Sequence, residues 1–258
     1  MTWRFSTGMR NALAQSVGFA GALNRGYINI YSGSQPATAD AVFSGTLLLT
    51  LSASSGALTK ETRATGSFTI AGASGSIDTI TVGGLNIIPD STVPFNTTLN
   101  QTASDVADAI NRNGMFEATV SAATVTLMGR RGTGVTTAAV SGSGTTLTVG
   151  TLVNMGSGIA GVKPLNGLFL ASPLTGVIAK PTTQVWSGVG VAAGTAGWGR
   201  FFSSNGNDSG AVISGAPFYP RLDGSCGVGS GDFQLSTLAI VVGLPVTLDT
   251  FQITMPAA

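Results

Sequence analysis

A mainly β protein is predicted: a β-sandwich or jelly-roll-like domain built from both chain ends, with a small α+β domain inserted between them. Three observations predict it, namely a low-charge, glycine-rich composition, strand-like alternation at both ends, and a change of texture at two junctions. Of 258 residues, 9% are charged and 43% hydrophobic, with 37 glycines and 10 prolines. Such a chain buries a core and turns often, rather than staying disordered or forming long helices.

The elements follow in order. Residues 6–17 place Met9, Leu13 and Val17 on one face of a short helix that Ser6 or Thr7 can cap. Gly18, Gly21 and Gly26 break that pattern, and 27–31 alternates as a strand. Pro36 and the small residues behind it form a loop in which Asp40 can turn the backbone. Residues 46–52 resume as a strand made apolar on both faces by Leu47, Leu48, Leu49 and Leu51, which places it mid-sheet or at a subunit contact.

Lys60, Glu61 and Arg63 mark a solvated junction, and the glycine-rich passage 156–163 marks a second. The domains are therefore drawn as 1–62 and 163–258 for the two parts of the β domain, with 63–162 as the insertion. Inside the insertion, 67–70, 77–82 and 85–88 read as strands. Thr102 followed by Asp105 predicts a capped helix start, with Val106, Ala109 and Ile110 on one face and Asn113-Gly114 as its stop. A hairpin over 116–128, an exposed turn at 130–134 and strands at 136–140 and 145–149 complete it. Beyond 163, strands are predicted at 167–171, 176–179, 183–191, 197–202, 232–242 and 247–254.

Charge and chemistry narrow the function. Twelve basic residues against eleven acidic ones give +1, and no cationic run exceeds Arg130-Arg131, so neither a nucleic-acid nor an anionic-membrane partner is expected. The longest apolar run, 238–244 with Gly243 inside it, is too short to span a membrane, and residues 1–22 lack the pattern of a secretory signal. Cys226 is the single cysteine and reads as a small apolar residue, without an intrachain disulfide. With no histidine anywhere, a cysteine or serine nucleophile lacks its usual base.

Apparent motifs have plainer readings. The glycines of 188–194 lack the strand, helix and acid of a dinucleotide site, and 227–231 is out of register with G-x-S-x-G. Asp105 and Asp108 suit the positive end of a helix better than a metal or glycosidase site. Asp223-Gly224 reads as a turn. No catalytic residue, cofactor-binding residue or metal ligand is named, and the expectation is a non-enzymatic protein without a cofactor. Trp186, Trp198, Phe201, Phe202, Phe218 and Tyr219 concentrate the aromatics, as core or subunit contact, or with Trp198 and Tyr219 as a stacking surface for sugar or peptide.

Several segments resemble one family. Residues 5–13 (FSTGMRNAL), 28–41 (INIYSGSQPATADA), 194–201 (GTAGWGRF), 220–224 (PRLDG) and 248–256 (LDTFQITMP) resemble tailed-bacteriophage virion structural proteins. Members of that family pass directly from the first strands to the region that here begins near Asn166, so residues 66–158 stand as an added module. The resemblance implies a non-enzymatic particle component located in the virion and assembled in the host cytoplasm. A capsid decoration or cement protein is the first reading, with a tail or baseplate component or a receptor- or glycan-binding module as the alternatives. Its partners would be the major capsid protein or other virion subunits, including copies of itself. Intersubunit contact is expected at Met9, Leu13, Val17, Leu47, Leu49 and Leu51.

Overall fold

A computed structural model of the chain describes residues 3–14, 18–88, 92–130, 132, 134–206 and 219–254. The fold is mainly β. Two compact units make it up, one from Met1–Lys60 with Pro164–Ala258 and one from Glu61–Lys163. Each has its own apolar core.

The first unit opens with β1 (Arg4–Phe5), α1 (Thr7–Ala14), α2 (Gly18–Leu23), β2 (Tyr27–Ser32) and β3 (Leu47–Ala53). Ser6 caps α1, as its residue type predicts: its Oγ accepts from the Met9 amide at 3.1 Å and from the Arg221 amide at 2.9 Å, so one buried hydroxyl starts the helix and ties it to a distant strand. The expected break is present, since α1 ends at Ala14 and Gly18 takes a left-handed φ of 69°, but a second short helix, α2, follows it where none was expected. Its Phe19, Ala22 and Leu23 are buried, and that packing outweighs the low helix propensity of Gly21.

The insertion contributes β4 (Thr65–Ala71), β5 (Ser76–Val82), β6 (Leu85–Asn86), β7 (Val93–Pro94), α3 (Leu99–Asn113), β8 (Phe116–Ser121), β9 (Thr124–Gly129), β10 (Val140–Thr145) and β11 (Thr148–Val153). One sheet runs β10–β5–β6 with β7 also on β5, and a second runs β11–β4–β9–β8. Helix α3 packs Ala103, Val106 and Ile110 into a core with Phe68, Ile80 and Leu127. It starts one turn earlier than Thr102. Thr98, in extended geometry, accepts from the Gln101 amide, whereas Thr102 is buried inside the helix and donates to the Thr98 carbonyl. Gly114 ends it at φ 71°, a left-handed position where glycine carries no side-chain strain.

The first unit resumes with β12 (Val177–Ala179), β13 (Trp186–Val189), β14 (Gly194–Phe202), β15 (Arg221–Gly227), β16 (Phe233–Leu235), β17 (Ala239–Ile240) and β18 (Pro245–Thr254). Seven of its strands close a ring, β14–β2–β3–β13–β18–β16–β15 and back to β14, a β-barrel. All these pairings are antiparallel except β15 with β16. Strand spacing alone predicts a sandwich; the observed hydrogen bonding is a closed ring, joined by only two residue pairs each between β3 and β13 and between β15 and β16.

Strand β18 shows how sequence shapes that ring. Val246 and Leu248 point inward, then the phase slips so that Phe251 and Ile253 also point inward, with a register shift against β16 between Gln234 and Leu235. The slip turns one long strand to serve β13 with its first half and β12 with its last. Four expectations fail locally. Residues 167–171 form no strand beyond a single bridge from Leu168 to Gly26, and Asp223-Gly224 is not a turn but the middle of β15. The strands expected at 136–140 and 145–149 are displaced to β10 and β11. At the junction read as solvated, Glu61 and Arg63 are buried, Glu61 accepting from the Gly132 amide and Arg63 donating to Glu117.

Candidate interaction surface

Of the six residues expected to make intersubunit contacts, three are buried within their own unit. Met9, Leu49 and Leu51 have no exposed surface and belong to the core of their own unit, while Leu13 and Leu47 are half-buried. A side chain that fills its own core is not free to fill a neighbour's, so at Met9, Leu49 and Leu51 the expectation is corrected. Val17 lies outside the described residues.

Trp198 is likewise no platform. It is fully buried, stacked on Tyr31 at 4.6 Å between ring centroids, and Arg200 lies over it at 5.3 Å. On the far side of Tyr31 sits Phe43 at 5.2 Å, so four planar groups pile up from a loop into the barrel wall. Tyr219 is half-buried, and its carbonyl accepts from Ser6 Oγ. Phe218 lies outside the described residues.

Arg200 ends that pile in a buried ion pair. Its Nε and Nη2 donate to the two carboxylate oxygens of Asp223 at 2.7 and 2.8 Å, and neither side chain has exposed surface. The bidentate geometry satisfies both charges in the low-dielectric interior, which is what makes their burial tolerable. Nη1 reaches out to the Ala41 carbonyl at 3.1 Å. The loop 33–46 is held at three further points: Arg4 donates to the Gln35 carbonyl, and the Thr7 amide and hydroxyl both donate to Asp40 at 2.7 and 2.8 Å. Asp40 therefore works as a second cap of α1, placed at the positive end of that helix.

Farther along β15, Ser225 and Asp232 close a small loop, the Ser225 amide and hydroxyl donating to Asp232 Oδ2 at 3.0 and 2.9 Å. Burial, with the Asp232 carboxylate nearby, pushes the Cys226 thiol up to about 12. A thiol so shifted stays protonated and inert at neutral pH. Asp105 and Asp108 lie beyond the first turn of α3, because the helix begins at Leu99, so their reading as acids at its positive end is corrected; Asp105 accepts from Asn96 Nδ2 at 2.8 Å. Among the described residues no three His, Cys, Asp or Glu side chains gather as a metal site.

What the barrel does present is an uncharged corner. Gly190 bridges Val242, its amide donating to the Leu244 carbonyl at 3.0 Å and its carbonyl accepting from Gly243 at 2.9 Å. A Cβ at Gly190 would stand 2.3 Å from the Val241 carbonyl oxygen, so only glycine lets the two turns meet this closely. Around it Val189, Val191, Val241, Val242 and Leu244 are 44%, 64%, 50%, 59% and 56% exposed. Isolated exposed aliphatic residues are ordinary, but five gathered on two touching turns form a patch. Sequence reading saw both pieces, as the longest apolar run and as a glycine-rich turn, without a signal that they meet. No family model, curated protein or solved structure matches the chain.

Proposed function

We propose that the protein is a non-enzymatic structural subunit of a bacteriophage virion, a capsid decoration or cement protein in the first instance. The observation that carries this reading is the uncharged aliphatic corner, a surface suited to contact and devoid of reactive groups. It is supported by the resemblance of the chain ends to virion proteins and by the spending of Arg200, Asp223 and Asp40 on internal ties. In its finer architecture the barrel is a flattened, sandwich-like one. In support, Trp186, Phe201 and Phe251, from three different strands, meet with centroids 5.5 to 5.7 Å apart.

The glycan-binding alternative loses its principal residue, since Trp198 is buried. The test is co-purification. Particles banded on a density gradient should contain the protein as a fixed multiple of the major capsid protein, and decorated particles should survive heat or osmotic shock better than particles lacking it. A protein found only in the soluble lysate contradicts the reading.

A further inference from the structure

We infer that the uncharged corner is a self-docking face, on which a second copy of this chain packs corner to corner. The inference rests on the structural-subunit reading above and names the partner of that surface. Charge is the reason. Residues 186–199 and 233–248 contain no Asp, Glu, Lys or Arg, so both turns and the strands that deliver them are neutral. A patch of one charge sign repels its own copy, and a patch of mixed sign must be arranged to complement itself. A neutral aliphatic patch carries no such electrostatic penalty against its own copy, which suits a two-fold interface.

Area sets the strength. Five residues exposed to this degree present on the order of 400 Å² of mainly apolar surface, so a symmetric pair buries about 800 Å² in all. That lies below the roughly 1,600 Å² of a stable dimer and belongs with weak, reversible contacts. Such a contact suits a subunit whose neighbours are held at high local concentration by an assembly. The mode is side-chain packing. β17, which ends the sheet beside the corner, is two residues long, too short an edge to template a neighbouring strand.

The experiment is sedimentation velocity on the full chain from about 1 µM to about 1 mM, at about 0.05 M and 1 M salt. The expected result is a monomer–dimer equilibrium in the upper part of that range that high salt leaves intact or strengthens. Val242→Asp and, separately, Val191→Asp should weaken it about a hundredfold, because each faces its own charge across the axis. Val228→Asp, at a residue 56% exposed on the turn after β15, should leave it unchanged. All three sites are exposed, so circular dichroism should show native folds. A monomer throughout the range, a dimer dissolved by salt, or a dimer indifferent to both corner variants overturns the inference. If the wild type is monomeric yet Val242→Asp is lost from particles, another virion protein occupies the corner, and self-docking fails while the virion reading stands. A corner-dependent dimer absent from particles gives the reverse.

Discussion

Arg200 and Asp223 form a buried pair whose breaking the barrel tolerates poorly. Removing one partner leaves the other charged and buried, so Asp223→Asn or Arg200→Met should destabilise the first unit by about 3–5 kcal/mol in denaturant titrations. The double variant Arg200→Met with Asp223→Leu should cost less than the sum, because no charge is left stranded. Neither role was legible in the sequence. Asp-Gly is a strong turn signal, and what overrides it is an arginine 23 residues away that pairs with Asp223 inside the wall. Cys226 was read as an apolar residue, and its environment agrees. A thiol titrating near 12 rather than near 9 holds about a thousandfold less thiolate at pH 8. Iodoacetamide should therefore leave it unmodified in the native protein and alkylate it in denaturant, as read by mass spectrometry. The sign for stability follows. The folded form keeps its proton where the unfolded form loses it, so this contribution is full below pH 9 and declines as pH rises toward 12.

At the level of elements, the strands were more legible than the contacts between them. Apolar patterning located β2, β3, β5 and β14: β5 buries mainly one face, while β2, β3 and the second half of β14 are apolar enough to be buried on both, and that patterning is a property of the chain itself. Helix α3 was found but entered at the wrong threonine, since Thr98 and Thr102 both suit a cap and only the extended backbone at Thr98 decides. Thr98→Ala should cost about 1 kcal/mol and speed amide hydrogen exchange in the first turn of α3, leaving the barrel unaffected. The loop 33–46 was legible as a loop, yet its anchorage was not. Its ties come from Arg4, Thr7 and Arg200, none of them adjacent in sequence. Asp40→Ala should cost about 1 kcal/mol and raise exchange in α1, because it removes two hydrogen bonds at that helix start.

Over the whole molecule, the two cores share no residue: one is drawn from Met9–Leu51 with Leu168–Ile253, the other from Ala64–Met155. The insertion leaves the first unit where Thr59 and Leu165 pair with each other at 3.2 and 3.1 Å. Replacing Glu61–Lys163 by a short Asn-Gly turn should therefore give a soluble chain that unfolds in one cooperative step. It should also keep its near-ultraviolet circular dichroism, because Trp3, Trp186 and Trp198 all belong to the first unit. A chain without a cooperative transition contradicts two independent cores. The closed ring and the uncharged corner are the features that sequence reading could not reach. Both depend on which distant strands pair, and periodicity reports which side chains face inward rather than who stands beside whom. The proposed role as a building part of a particle is checked by quantitative mass spectrometry of gradient-purified virions. Many copies per particle at a fixed ratio to the major capsid protein are expected; absence from the particle band overturns the proposal.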